Sequence, residues 1–398
     1  MDLSNWWIRL MKKRIDLGSI ILLASFLVGI FSQMQITTIL EDFLFAAIEP
    51  TTLKLVGSIL LIFILGNLLN EGGNLRNINS SLETFIKDKR VTLIIPSALI
   101  GLLPVAAGAM LSAPIVEESG SKMGLSAENK TFLNYWFRHI WEYTWPLYPG
   151  LILASAILNV PLRKIAIAQL PLTLAAILSG CIFGLRRIPY KPFSRKGKRE
   201  ITKGIFNFLL NAWPILAVVF FVLVLKLELI PSLLIILLFV LITVRIKRKR
   251  LILIIKNSLS WRMILLLVSV MVFKRILENS GLLSRMPEIF THLRISPLLP
   301  LFSIPLFIGF LTGVTQAFVG VTFPIFLPFI GMNNPNLTYV MLVYAGGFAG
   351  VLLSPVHLCL IVTKDYFKAN LFRVYKLLLL PIVFVVLIAF VIVFVQEF

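Results

Sequence analysis

The stretch "RVTLIIPSALIGLLPVAAGAMLSAPIVEES" (Arg90–Ser119) decides how the rest of the chain is threaded. It carries no charge from Val91 to Val116, more than the roughly 20 apolar residues a helix needs to cross a bilayer. Yet Pro96, Gly101, Pro104, Gly108 and Pro114 interrupt it, and Glu117 and Glu118 follow at once. As an ordinary span it puts its ends on opposite sides of a membrane. As a hairpin it returns to the side it left.

A membrane is the setting that composition requires. Of 398 residues, 58% are hydrophobic and 14% charged, with mean hydropathy +0.94, and a water-soluble fold has no interior large enough for that much apolar surface. The net charge of +20 does not indicate nucleic acid, because Lys and Arg come in short bursts between apolar runs, the pattern of cytoplasmic loops. Cys181 and Cys359 lie within apolar runs, imply no disulfide framework and read as packing residues. The opening "NWWIRLMKKRIDLGSIILLASFLVGIF" (Asn5–Phe31) has the basic flank and apolar core of a signal peptide, but no small-x-small site closely follows. It reads as a retained first span.

Nine spans are expected: Leu17–Ile36, Thr52–Leu69, Tyr135–Leu158, Ile165–Leu185, Ile205–Leu225, Leu227–Val244, Leu251–Phe273, Thr338–Val362 and Tyr375–Val395. Two Pro/Gly-rich segments remain, Val91–Val116 and the uncharged Ile295–Met332. The clusters "RRIPYKPFSRKGKRE" (Arg186–Glu200) and "RIKRKR" (Arg245–Arg250) belong inside, and the two spans between them return the chain to that side. Counting back from Arg186 puts Ser119–Asn134 inside, with Lys87, Lys89 and Arg90. Val91–Val116 is then a hairpin, the basic "WWIRLMKKR" falls inside, and Glu41, Asp42 and Glu49 fall outside. Counting forward makes Ile295–Met332 a second hairpin, opening outward, with Lys274 and Arg275 near the outer face as an exception to the charge rule.

The expected fold is therefore an all-α polytopic membrane protein of two inverted-topology repeats, each with a re-entrant hairpin and an interrupted span. The first repeat covers 1–185, with hairpin 91–116; a basic linker and extra span cover 186–226; the inverted second repeat covers 227–398, with hairpin 295–332. The copies share little sequence: "GLLPVAAGA" (Gly101–Ala109) and "GFLTGVTQA" (Gly309–Ala317) have only G-x-L-x5-A in common.

Backbone that turns inside a bilayer leaves amides and carbonyls unpaired, at several kcal/mol each, and persists only where protein or a water-filled cavity satisfies it. Inverted repeats with interrupted helices are the architecture of secondary transporters, which hold solute and coupling ion at such breaks. The expected solute site lies at the hairpin tips and the second interrupted span: Gly108, Ser112, Thr312, Gly313, Thr315, Gln316, Ser354 and Pro355. Gly108 and Gly313 permit close backbone approach, and Thr312, Thr315 and Gln316 offer uncharged donors and acceptors. The bland alternative is that the threonines back-bond their own helix and the glycines pack helices.

The ionisable residues near these breaks are candidates for coupling or gating: His357, Glu117, Glu118, Arg138, His139 and Glu142. Arg138 and Glu142 stand four apart, a spacing that pairs them on one helical face, and "YWFRHIWEYTW" (Tyr135–Trp145) has the Trp and Tyr content of a headgroup-level anchor. His357, beside Pro355, ranks first as proton carrier; Glu118 ranks second, on condition that hairpin one draws it out of water.

"LPVAAGAMLSAPIVEES" (Leu103–Ser119), "NKTFLNYWFRHIWEYTWPLYPG" (Asn129–Gly150) and "GGFAGVLLSPVHLCLIVT" (Gly346–Thr363) resemble DUF401, a prokaryotic integral membrane family grouped with the ion-transporter superfamily of gluconate, citrate and dicarboxylate permeases. The resemblance spans most of the chain. It implies two inverted repeats with re-entrant hairpins, a homodimer, and elevator-like carriage of a small anion or organic acid across the cytoplasmic membrane, coupled to H⁺ or Na⁺. The Ser-Asn-Thr signature of sodium-coupled dicarboxylate members is absent from "PVAAGAM", and "TGVTQAF" shares only its Thr, which leaves both coupling ions and the solute open.

Three other classes compete. An embedded enzyme lacks support, since there is no H-E-x-x-H, no G-x-S-x-G, and His139, His292 and His357 show no metal-ligand spacing; no metal and no cofactor beyond a coupling Na⁺ is expected. A lipid or polyprenyl-phosphate translocase is the stronger rival, because inverted hairpins can pass a phosphate headgroup and the cytoplasmic face is basic. A channel needs no broken spans of this kind. The partners expected are a small anionic solute and membrane lipids.

Overall fold

Proline and glycine placement sets where the helices stop. A computed structural model describes residues 16–82, 89–102, 108–186, 188, 197–243, 246, 248–284 and 296–397. Every element among them is helical: α1 (Leu17–Phe31), α2 (Ile36–Ile48), α3 (Pro50–Glu71), α4 (Asn74–Leu82), α5 (Lys89–Ile100), α6 (Ala109–Lys122), α7 (Ala127–His139), α8 (Pro149–Leu158), α9 (Leu162–Ala168) and α10 (Leu170–Ser179), whose end loosens into a π turn at Gly180–Leu185. The chain continues with α11 (Lys198–Leu223), α12 (Leu229–Thr243), α13 (Arg248–Ser258), α14 (Trp261–Asn279), α15 (Leu298–Thr312), α16 (Thr315–Ile330), α17 (Leu337–Leu353), α18 (Leu358–Phe367) and α19 (Leu371–Glu397). The N-terminal basic flank, most of the basic cluster after Arg186, and residues 103–107 of hairpin one lie outside the described residues.

The protein is an all-helical, multi-pass membrane protein. Among the described residues, four helical stretches are long and apolar enough to cross a bilayer, Pro50–Glu71, Arg199–Leu223, Leu337–Phe367 and Leu371–Gln396, and two bent pairs, each taken as one span, raise the count to six. Exposed Phe206, Leu210, Leu238, Phe239 and Phe394 sit on α11, α12 and α19, the outward apolar faces that lipid solvates. The centre is different. Lys130 to His139 on α7 and Val340 to Leu352 on α17 are buried without interruption, so both helices are surrounded by protein.

Several expected spans are shorter or broken. Leu17–Ile36 is not one helix: α1 ends at Phe31, Gln33 takes a left-handed backbone, and Ile36 opens α2. Tyr135–Leu158 is interrupted over residues 140–148, where Pro146 and Pro149 each remove a backbone donor, and Pro149 restarts the helix at its first position, where no donor is needed. α8 and α9 then meet at 115°, with Asn159 in the left-handed region. Ile165–Leu185 is divided at Gln169, and Leu251–Phe273 bends by 41° between α13 and α14, where the Ser260 hydroxyl accepts from Met263 N and caps a new helix.

Ion pairs sort the helix ends into two faces. Asp42 accepts from Arg275 Nε at 2.7 Å and from Asn279 at 2.8 Å; Lys54 meets Glu228 at 3.4 Å; Glu71 pairs with Arg250. Each links ends that the charge count assigns to one side. The basic exception at Arg275 is thereby explained, since that cation is neutralised by a nearly buried carboxylate.

The two Pro/Gly-rich segments each hold a helix pair, α5 and α6, with Gly108 at the start of α6, and α15 and α16, separated by Gly313 and Val314. Each pair packs on itself. α5 and α6 also lie against α7, and α6 reaches α18; α15 and α16 lie against α17, and α16 reaches α8. The α15–α17 seam is close because Gly346 and Gly350, one turn apart, face the backbone of Phe302 and Leu306.

Candidate functional site

The central helices both stop in mid-protein. α7 ends at His139 and the chain stays non-helical to Tyr148; α17 ends at Leu353, Ser354 and Pro355 form a turn, and α18 resumes at Leu358. Side chains take the carbonyls freed at the first interruption and at the end of α5, and Tyr135 Oη takes Leu352 O, at the end of α17, at 3.1 Å. Tyr344 Oη donates to Glu142 O at 2.9 Å, Thr173 Oγ1 to Ile140 O at 3.2 Å, Trp141 Nε1 to Ala98 O at 2.8 Å, and Tyr148 Oη to Gly101 O.

The two interruptions meet. Nε2 of His139 stands 3.1 Å from Nε2 of His357, and Cys359 lies with them, the three donor atoms falling within 4.8 Å of one another. Glu142 Oε1 is 3.8 Å from His139 Nε2, while its Oε2 accepts from Thr315 Oγ1 at 3.2 Å. Arg138 Nη1 donates to Tyr148 Oη at 3.2 Å. Arg138, His139 and Glu142 are 3%, 2% and 8% exposed, so a cation and a carboxylate are held inside protein, where a charge is costly and marks function by default. Tyr135, Tyr143 and Phe348 wall the cluster.

Burial overturns the headgroup-level anchor for most of Tyr135–Trp145: Tyr135, Trp136, Phe137 and Tyr143 pack inside, against α10, α17 and each other, while Trp141 and Trp145 are part-exposed. Helical pairing of Arg138 with Glu142 loses its basis as well, because the helix ends at His139 and Glu142 belongs to the turn that follows.

Both hairpin glycines press on this cluster. A Cβ at Gly108 would stand 2.8 Å from the Arg138 guanidinium, and one at Gly313 would stand 2.8 Å from His357 N and 2.9 Å from Ser354 Oγ. Gly313 also has φ +63°, so only glycine fits there without strain. Thr315 reaches the cluster through Glu142. Ser112 serves packing instead: Ser112 and Ser97 both donate to Asn134 Oδ1, at 2.6 and 2.9 Å, and Asn134 Nδ2 donates to Ala109 O at 2.9 Å, which fixes α5 and α6 to α7.

Other expected residues fall elsewhere. Thr312 back-bonds Ile308 O at 2.7 Å, the bland alternative for that residue, and Gln316 is half-buried with no hydrogen bond tying it to the cluster. Pro355 is exposed and acts by ending α17. Glu117 and Glu118 lie on the exposed end of α6, paired with Lys130 at 2.8 Å and Lys122 at 2.6 Å. The hydrogen bonds from those lysines hold both carboxyls below the usual range, the opposite of the desolvation a proton carrier there would need. Sequence reasoning missed Cys359, Asn134, Tyr148 and Tyr344. Cys359 had one available signal, its place two residues after His357.

Four helices start at this cluster. Gly108 caps α6 beside Arg138, Tyr148 caps α8 and bonds Arg138, Thr315 opens α16 and bonds Glu142, and His357 caps α18. Helix starts carry unpaired N–H groups and partial positive charge. From the far end of α8, a cleft of about 640 Å³ opens, lined by Lys54, Arg163, Lys164 and Lys226 against one acid, Glu228.

The chain matches the family described as "Protein of unknown function (DUF401)" over residues 7–396 and belongs to it. No curated protein matches it.

Proposed function

We propose that this DUF401 protein is a secondary active transporter that moves a small anion or organic acid across the cytoplasmic membrane of a prokaryote, coupled to H⁺ or Na⁺. The observation that carries this reading is the convergence of four helix N-termini on the cluster that holds buried Arg138, two of them on Arg138 itself. Each N-terminus favours negative charge, and a guanidinium adds a fork that matches a carboxylate or oxyanion. The cleft at the end of α8 supports the same sign of solute, because its four cations outnumber Glu228 and a cleft with an excess of one charge gathers counter-ions.

The chain is read as two inverted repeats. Reciprocal packing supports this: each helix pair contacts the broken helix of its own half through one side and the resumed helix of the other half through α6 or α16. Hairpins that hold half of a site each suit an elevator-like carrier, in which hairpins and broken helices move as one body against the remaining helices. The homodimer implied by the family resemblance would supply the fixed body. No enzymatic role and no nucleic-acid partner belong to this reading.

Reconstitution in proteoliposomes tests it. Labelled carboxylates, inorganic anions and sugar acids are offered with and without pH or Na⁺ gradients; at least one should accumulate under one gradient and not without it. If no solute accumulates and a labelled lipid instead changes leaflet, the protein is a lipid translocase.

A further inference from the structure

The arrangement of the two histidines is more specific than anion carriage requires. His139 Nδ1 is 2.6 Å from Tyr135 O, and His357 Nδ1 is 2.7 Å from Gly313 O. A carbonyl oxygen only accepts, so each Nδ1 carries its ring's hydrogen. In the neutral rings both Nε2 atoms then present lone pairs, and they face each other across 3.1 Å. Two acceptors at that separation repel unless something positive lies between them. The Cys359 thiol has one hydrogen and can serve only one of the two.

Three features match a d-block cation. A tetrahedral Zn²⁺ bound at about 2.0–2.1 Å by two imidazoles holds their nitrogens roughly 3.3 Å apart, close to the separation found here. Cys359 Sγ shares the space, and a thiolate with two imidazoles is a donor set that selects zinc-like ions over Na⁺, Mg²⁺ or Ca²⁺. Both rings also donate their other N–H to a backbone carbonyl, the outer contact that fixes the tautomer and orientation of ligating histidines. Glu142 Oε1, 3.8 Å from His139 Nε2, is the nearest carboxylate to a fourth position.

We infer that His139, His357 and Cys359, with Glu142 beside them, form a binding site for a divalent transition-metal ion of the Zn²⁺ class. His139 ends α7 and the other two begin α18, so the ion joins the two broken helices across the centre of the protein. The metal site stands independently of what the protein carries.

The test uses full-length protein in detergent, stripped with a chelator and titrated with Co²⁺. One equivalent should bind with a thiolate-to-cobalt charge-transfer band in the near ultraviolet, and Zn²⁺ should displace it. Cys359→Ser should abolish the band, and His357→Gln should weaken binding by at least about 100-fold. Zn²⁺ should raise the unfolding temperature of the parent and not of either variant, which separates a lost ligand from a lost fold. A Co²⁺ complex without the thiolate band, a Zn²⁺ response that survives both substitutions, or no binding would overturn the site and leave a shared proton between the rings. Uptake by metal-stripped proteoliposomes is scored separately, so failure of the metal site and failure of anion transport read out as different results.

Discussion

Residues 140–148, between α7 and α8, and residues 354–357, between α17 and α18, both interrupt a buried helix beside a hairpin glycine, but they are filled with different chemistry. The first is long and aromatic, and it carries the charged groups, with Arg138 at its edge and Glu142 within. The second is short and supplies a proline, Ser354 and His357. The difference is instructive. A break can be made by geometry alone, with one proline and a cap, whereas a charged site needs extra backbone and enough side chains to satisfy it. Changes in the first break should therefore alter which solute is bound, and changes at Ser354 and Pro355 in the second should alter whether the centre holds its shape.

The sharpest way to break this contrast is at Arg138. Arg138→Gln should lower uptake by at least about 100-fold, and should lower the unfolding temperature because it removes the bond to Tyr148 and the positive charge inside protein that offsets Glu142. Adding Glu142→Gln should recover much of that stability without recovering uptake, as measured by thermal unfolding beside transport. If the double variant transports normally, the first break is structural and the contrast fails.

The glycines come next. Gly313→Ala meets strained backbone and main-chain atoms of His357, so it should cost about 1–3 kcal/mol. Gly108→Ala has unstrained φ and meets the far end of a flexible side chain, so it should unfold near the parent temperature yet impair uptake by displacing Arg138. Equal loss of stability in both would show that the two tips do the same job.

A smaller effect separates the threonines. Thr315→Val removes a hydrogen bond to a buried carboxylate and should cost about 1–3 kcal/mol with reduced uptake, whereas Thr312→Val loses only a bond to its own helix and should be close to neutral. The smallest is expected at Glu118→Gln, whose pair with Lys122 is exposed and screened, and a somewhat larger loss of stability at Glu117→Gln, whose partner Lys130 is buried; uptake should match the parent in both. Because both carboxyls are held below their ordinary range, whatever stability they add is present above that range and fades as pH falls through it, so the parent and these variants should converge in acid.

Particular residues show how far sequence reading reached. Pro146, Gly108 and Gly313 announced helix breaks because proline and glycine act through their own backbone, wherever they sit, although Pro96 is carried within α5. Arg138, His139 and Glu142 were candidates by residue type, but their neighbouring Trp and Tyr look the same at a headgroup level and in a buried wall, and only packing tells the two apart. Glu117 and Glu118 failed as candidates for a similar reason, since Lys130 lies 13 residues from Glu117 in the chain and on it in space.

Composition, charge spacing and the placement of Pro and Gly by themselves determined an all-helical membrane protein with two apolar segments broken by Pro and Gly, because these properties are local or summed along the chain. The meeting of His139 with His357, 218 positions apart, and the arrival of Cys359 beside them were decided by tertiary structure alone. No spacing in the sequence encodes them, because ligands from two separate helix breaks converge only when α7, α17 and the two hairpins are packed together.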